Sequence, residues 1–204
     1  MPASVKLSRR DRARARSHAP NAVTAERLHR SLERLAQLIE RVLLTERLGA
    51  GQVPVQPSDA DLATIMDDAL RAARAEAARK GIALRARYDP AVKVRLDTAL
   101  TISGIQNLVD NAVKFTDEGS VSVDVEMTGD GIAIHVRDTC AGISAEELST
   151  IFEPFQRGSS TKPGSGLGLA IAKQSVEAQG GNIGAASERE EGCHFWITLP
   201  VGRA

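Results

Sequence analysis

Apolar residues recur at helical spacing in three long stretches. From about Val23 to Leu48, the residues Leu28, Leu32, Leu35, Ile39 and Val42 alternate steps of four and three, a heptad seam widened by Leu38 and Leu43. So broad a stripe requires helical partners. No second seam of equal length exists in the sequence, so the expected partner is another copy of the chain or a helix outside it. Leu62, Ile65, Met66, Ala69, Leu70 and Ala73 predict a second helix. Ser58 is expected to cap it, with Asp59 and Asp61 in its first turn and Gly81 as its stop. Ile102, Ile105, Leu108, Val109 and Ala112 predict a third, from about Leu96 to Phe115.

Elsewhere the period is two. Ile82, Leu84, Ala86 and Tyr88 alternate with Ala83, Arg85 and Arg87 as a strand. Val121, Val123, Val125 and Met127, a Thr128-Gly129-Asp130-Gly131 turn, and Ile132, Ile134 and Val136 predict a hairpin. That parity sends His135 to the outer side of the sheet and Asp138 to the core side. A short helix is expected near Ser144, another from the Gly164-Ser165-Gly166-Leu167-Gly168-Leu169 run to Gln179, and strands near 182–187 and 194–199. The Gly49-Ala50-Gly51 stop, with Pro54 and Pro57, marks a linker. The expected organisation is a basic flexible tail (1–22), a dimerisation-type helix (23–48), a linker (49–57) and a globular domain (58–204).

Composition narrows the class. The chain has 204 residues, 42% hydrophobic and 25% charged, ordinary for a globular protein with one domain and some extra. Lys+Arg and Asp+Glu both number 26, so no nucleic-acid partner is expected from global charge. The tail does carry Lys6, Arg9, Arg10, Arg12, Arg14 and Arg16, but no aromatics interleave to stack on bases. Aromatics are 3%, so aliphatic side chains must fill the core. Cys140 and Cys193 are too few for a disulfide framework, and a reducing compartment is the simplest fit. No apolar run is long enough to span a bilayer.

The polar positions carry the chemistry. Asn107 and Asn111 stack on one side of their helix with Lys114 three residues on, a set suited to a metal ion and phosphate oxygens; a solvated polar face is the plain alternative. Asp138, on the core side of a strand end, needs a donor to offset its desolvation. That donor is either a neighbouring amide or a ligand N–H, and Gly142 permits close backbone approach. Glycines opening the helix at 164–169 expose backbone N–H groups to an anion.

In this order, the asparagine helix, Asp138 to Ile143, Phe152-Glu153-Pro154-Phe155, the Gly164 to Leu169 run and the Gly192 to Pro200 tail resemble the N, G1, F, G2 and terminal-strand signatures of sensor histidine kinases. The resemblance covers about residues 58–200. It implies an α+β fold, a two-layer α/β sandwich of the histidine kinase ATPase type with a mixed sheet under helices, preceded by a long helix. It implies ATP and Mg2+ as cofactors. By position, Asn111 would hold Mg2+ with Asn107 supporting it one turn earlier, and Lys114 would meet phosphate. Asp138 would read the adenine amino group, with Gly142 and Ile143 lining the base. Phe155 would anchor a lid, Arg157 would lie near the phosphates, and Gly164, Gly166, Leu167 and Gly168 would form the hinge and phosphate-side backbone. The implied partners are a response regulator or phosphoacceptor helix, and a second copy through residues 23–48. The implied place is the cytoplasm, or the cytoplasmic part of a membrane-bound sensor.

Two positions depart from that pattern. Cys140 stands where the family has the first G1 glycine; a Cβ there is expected to restrict φ and crowd the base, weakening but not abolishing nucleotide binding. The phosphoacceptor motif is also unrecognisable, since His18 precedes Ala-Pro and His29 precedes Arg-Ser. Three readings follow. One is the ATP-binding catalytic part of a histidine kinase acting on a histidine not recognisable in this chain. Another is a nucleotide-weakened regulatory or dimerisation module of the same fold. The third, a kinase of another protein's serine, is disfavoured by the asparagine helix and the heptad seam.

Overall fold

The structure is a computed structural model; it describes residues 54–129, 131–156, 162, 164–188 and 192–202, with Ile39 and Val42. Ile39 and Val42 are helical, and Ile39 is 50% exposed. The rest of the heptad seam, the basic tail, His18, His29 and Arg157 lie outside the described residues.

The domain begins with a correction. Ser58–Asp61 is not the first turn of a helix but a strand, β1, and Leu62–Lys80 is helix α1. Strand β2 is Ala83–Arg87 and β3 is Lys93–Leu96. β1 pairs antiparallel with β3, Ser58 opposite Leu96. The acids expected to favour a helix N-terminus instead face cations across this ribbon, Asp59 with Arg95 at 3.1 Å and Asp61 with Lys93 at 3.7 Å. Asp61 stands at the N-cap without a side-chain cap bond, and Leu62 N donates to Val92 O at 3.0 Å. Pairing with a distant strand has overridden the local capping preference. The apolar stripe is as expected, with Leu62, Ile65, Met66, Ala69, Leu70, Ala73 and Ala77 buried.

Helix α2 spans Thr98–Phe115 and buries Leu100, Ile105, Leu108, Val109, Ala112 and Val113. It starts later than Leu96 because Asp97 caps it, accepting from Leu100 N at 3.0 Å. The hairpin is β4, Ser120–Met127, with β5, Gly131–Asp138. Then come α3 (Ala145–Thr150, with a Ser144/Glu147 capping box), α4 (Gly168–Glu177), β6 (Asn182–Glu188) and β7 (Gly192–Pro200).

The main sheet has the order β2-β4-β5-β7-β6. β2 runs parallel to β4 and the other pairs are antiparallel, so the sheet is mixed. Helices α1, α2 and α4 pack together; α1 also contacts β2, α2 contacts β4 and β5, and α4 contacts β6 and β7. This is the two-layer α+β sandwich. Ile132, Ile134, Val136, Phe195 and Ile197 point into the core and are almost wholly buried, each worth roughly 1.5–3 kcal/mol. By strand alternation, His135, His194 and Trp196 lie on the opposite face.

Candidate functional site

Helix α2 supplies one wall of the site. Asn107 is buried, and its Nδ2 donates to Ser103 O at 2.8 Å. Its Oδ1 faces the start of α4, where a Cβ on Gly168 would come within 3.2 Å. Two turns on, a Cβ on Gly164 would land on Lys114 Nζ. The glycine run therefore lies against the polar face of α2. Asn111 lies on the same face between these contacts and is half-buried. Gly166 adopts a φ of 72°, and a Cβ there would sit 2.7 Å from both Phe155 C and Gln156 O. Leu167 is fully buried and is the N-cap of α4, so its side chain anchors the run while its backbone leads into the helix.

Phe155 lies in the turn that follows α3. Its ring is 62% exposed, and its φ of 64° is the only positive non-glycine value among the described residues. Its backbone, rather than its ring, packs against Gly166.

The carboxyl end of α2 gathers ammonium groups that sequence reasoning missed. Lys80 Nζ donates to Val113 O at 2.7 Å, to Lys114 O at 3.1 Å and to Thr116 O. Lys162 Nζ donates to Lys114 O at 3.0 Å and Phe115 O at 3.2 Å, and pairs with Asp117 at 2.6 Å. Lys114 Nζ lies 4.6 Å from the Phe115 ring centroid. Cations at this end complement the helix dipole. Nothing local foretells them, because Lys80 and Lys162 arrive from other elements.

The second wall is the end of β5. Asp138 is 5% exposed, as its parity predicts. Burial pushes its carboxyl above the ordinary value; hydrogen bonds from Cys140 and from the backbone of Cys193 oppose the rise. Cys140 N donates to Asp138 Oδ1 at 2.9 Å. The donor expected of either a neighbour or a ligand is thus met in part by a neighbour. Gly142 has a φ of 86°. Ile143 N donates to Ser187 Oγ at 2.8 Å, which hangs the turn on β6. The expected strain at Cys140 is absent: its φ is not positive, and its Sγ turns to Cys193 Sγ at 2.7 Å. The coupling pushes the Cys140 thiol up through the hydrogen bond with Cys193 and through burial, and holds the Cys193 thiol down.

His135 is not the isolated surface group its parity suggests. Its Nδ1 lies 3.0 Å from His194 Nε2, and the His194 ring lies 5.1 Å from that of Trp196, tilted by 46°. Burial, Arg137 and His135 hold His194 below its ordinary value.

The family model described as histidine kinase-, DNA gyrase B-, and HSP90-like ATPase matches residues 97–203, just over half of the chain. The sensor histidine kinase RcsC of Escherichia coli (strain K12) is 31% identical over 180 residues, covering 85% of this chain and 19% of that protein. The sensor protein kinase PmrB of Pseudomonas aeruginosa is 33% identical over 199 residues, covering 91% of this chain and 42% of that protein. The crystal structure of full-length ShkA in complex with AMPPNP superposes with a TM-score of 0.80 at 29% identity, covering 98% of this chain and 41% of that one. The chain thus spans less than half the length of these relatives.

Proposed function

The chain belongs to the histidine kinase-, DNA gyrase B-, and HSP90-like ATPase family, and we propose that residues 58–204 are the ATP-binding catalytic portion of a two-component sensor histidine kinase. The observation that carries this is the glycine run seated on α2, with Gly168 against Asn107 and Gly164 against Lys114. The start of α4 and the polar groups of α2 lie side by side, and together their N–H groups, ammonium and amide oxygens suit a polyphosphate with its divalent ion.

In this reading Asn111 holds Mg2+ through its side-chain oxygen, and Asn107, fixed by Ser103, supports it. Lys114 meets a phosphate oxygen. Asp138 accepts from the adenine amino group, and Gly142 and Ile143 line the base. Gly164, Gly166, Leu167 and Gly168 form the hinge and phosphate-side backbone, Phe155 anchors the lid, and Arg157 meets the phosphates. Bound Mg2+ would neutralise charge on the transferred phosphoryl group. The remaining work of these residues is to position the nucleotide and exclude water.

The acceptor is a histidine on a helix other than those described. His135 and His194 bind each other on the sheet face opposite α2. Further proposed partners are a response regulator and a second copy of the chain through residues 23–48. No described helix is long and apolar enough to cross a membrane.

Calorimetry of the chain with Mg-ATP and ADP tests the binding step, with saturable binding expected. No heat and no competition at millimolar nucleotide would sink the proposal. Radiolabelled ATP with a phosphoacceptor helix supplied in trans tests transfer: acid-labile, base-stable label should appear on that helix and not on the chain alone.

A further inference from the structure

Asp138 and Cys193 are directly opposite in the β5/β7 register, both on the helix-covered face. The turn after Asp138 folds back, held by Cys140 N on Asp138 Oδ1, and delivers Cys140 Sγ to 2.7 Å from Cys193 Sγ. With Asp138 these sulfurs form a cluster of metal-ligating type. The spacing decides between a metal and a sulfur–sulfur bond. Two thiolates bound to one zinc at about 2.3 Å stand roughly 3.8 Å apart, well beyond what is seen. A disulfide, at about 2.05 Å, requires only a small further approach.

We propose that Cys140 and Cys193 form a dithiol–disulfide modification site, at which a low-molecular-weight disulfide oxidises the pair, ties the turn 139–143 to β7 and weakens nucleotide binding. The consequence for binding rests on that turn receiving the base, as proposed above. Cys140 is half-buried and Cys193 buried, so Cys140 is the sulfur a small disulfide RSSR reaches. The Cys140 thiolate attacks one sulfur of RSSR, forming Cys140–S–SR and expelling RS−. The Cys193 sulfur then attacks the Cys140 sulfur, forming the protein disulfide and expelling a second RS−. The two cysteine protons end on the two released thiols, so two electrons pass from protein to RSSR. In the closing step Cys140 no longer has a proton to donate to Cys193, and the Ser187 hydroxyl, 3.5 Å from Cys193 Sγ, is the neighbour that still favours its thiolate. Cys140 is held up, so the opening step is slow and quickens with pH.

Reduced, the turn hangs on the sheet by adjustable contacts: Ile143 N to Ser187 Oγ, Ser187 Oγ to Gly192 O at 2.8 Å, and the two sulfurs. Oxidised, one of these becomes covalent and Asp138 loses a neighbouring thiol donor. The turn can then no longer move to admit the base.

The test treats the full chain with oxidised glutathione or with dithiothreitol, maps disulfides by peptide mass spectrometry and measures ADP affinity by calorimetry. We expect a Cys140–Cys193 peptide, ADP affinity lowered at least about fivefold and restored by reduction, and no response in Cys193→Ser or Cys193→Ala. Failure to form the cross-linked peptide, or a cross-linked chain binding ADP as tightly as the reduced one, overturns the proposal. A reduced chain that binds no ADP defeats the nucleotide reading instead, and is told apart because the peptide map still reports on the pair.

Discussion

Along α2, polar side chains face glycine backbone; at the end of β5, a buried carboxylate faces two sulfurs. A Cβ on Gly168 would press on Asn107 Oδ1, one on Gly164 would meet the flexible tip of Lys114, and Gly166 abuts the Phe155 backbone. Around Asp138 the backbone is close too, with Gly192 against the Asp138 carbonyl, but the neighbours of the carboxylate include the side chains of Cys140 and Cys193, with Ser187 beside Cys193. The first wall is tightest at Gly166, where backbone meets backbone. At the second, sulfurs fill the space beside the carboxylate. A residue departing from the family pattern is accordingly found there, at Cys140, and it sits without backbone strain.

The sharpest break between the walls is Asn111→Ala. It should lower Mg-ATP affinity about 100-fold, ~2.7 kcal/mol, and leave metal-free ADP binding nearly intact, read by calorimetry with and without Mg2+. Equal loss in both conditions would move Asn111 out of the metal role. Next comes a contrast within the first wall. Gly166→Ala places a Cβ against backbone at a positive φ, costing ~1–3 kcal/mol, and should weaken ADP about tenfold. Gly164→Ala meets only the mobile tip of Lys114 and should change affinity less than about threefold. Thermal unfolding and calorimetry on both variants would expose any inversion of that order.

On the second wall, an ionised Asp138 is the stronger acceptor for the adenine amino group proposed to bind there, and burial raises its pKa above 3.8. ADP affinity should therefore fall as pH drops through the raised value, sooner than for an ordinary aspartate. Between 3.8 and that value the folded chain holds the proton that the unfolded chain has released, so raising pH across this window costs stability. Asp138→Asn should abolish both dependences, as pH-stepped calorimetry and denaturant titration would reveal. The smallest effect is Cys140→Gly, under about threefold on reduced-state ADP affinity, because no strain is there to relieve; marked tightening would mean that the side chain does crowd the base.

What could be read in advance was local. The stripe of α2, the hairpin and the burial of Asp138 follow from periodicity within one element. The β1–β3 ribbon does not, because Ser58-Asp59-Ala60-Asp61 has the chemistry of a helix start and its partner strand lies far along the chain. Lys80 and Lys162 at the end of α2, Cys193 beside Cys140, and His194 beside His135 escaped for the same reason. Each is a meeting of two elements whose separate patterns are complete without it. The outward parity of His135 was legible; the ring waiting on the next strand was not.

The seam between β5 and β7 also orders events in time. β4 with β5, and β6 with β7, are hairpins that can close on the microsecond scale from neighbouring chain. Joining them brings Asp138 to Cys193 across α3 and α4, and must await the higher entropy of that closure. Because β7 is the last of these strands along the chain, the Asp138 carboxylate, proposed to read the base, lacks its flank until synthesis has passed residue 200. A nucleotide would therefore recognise only molecules that have crossed the folding barrier, slowing their unfolding while leaving their rate of folding unchanged.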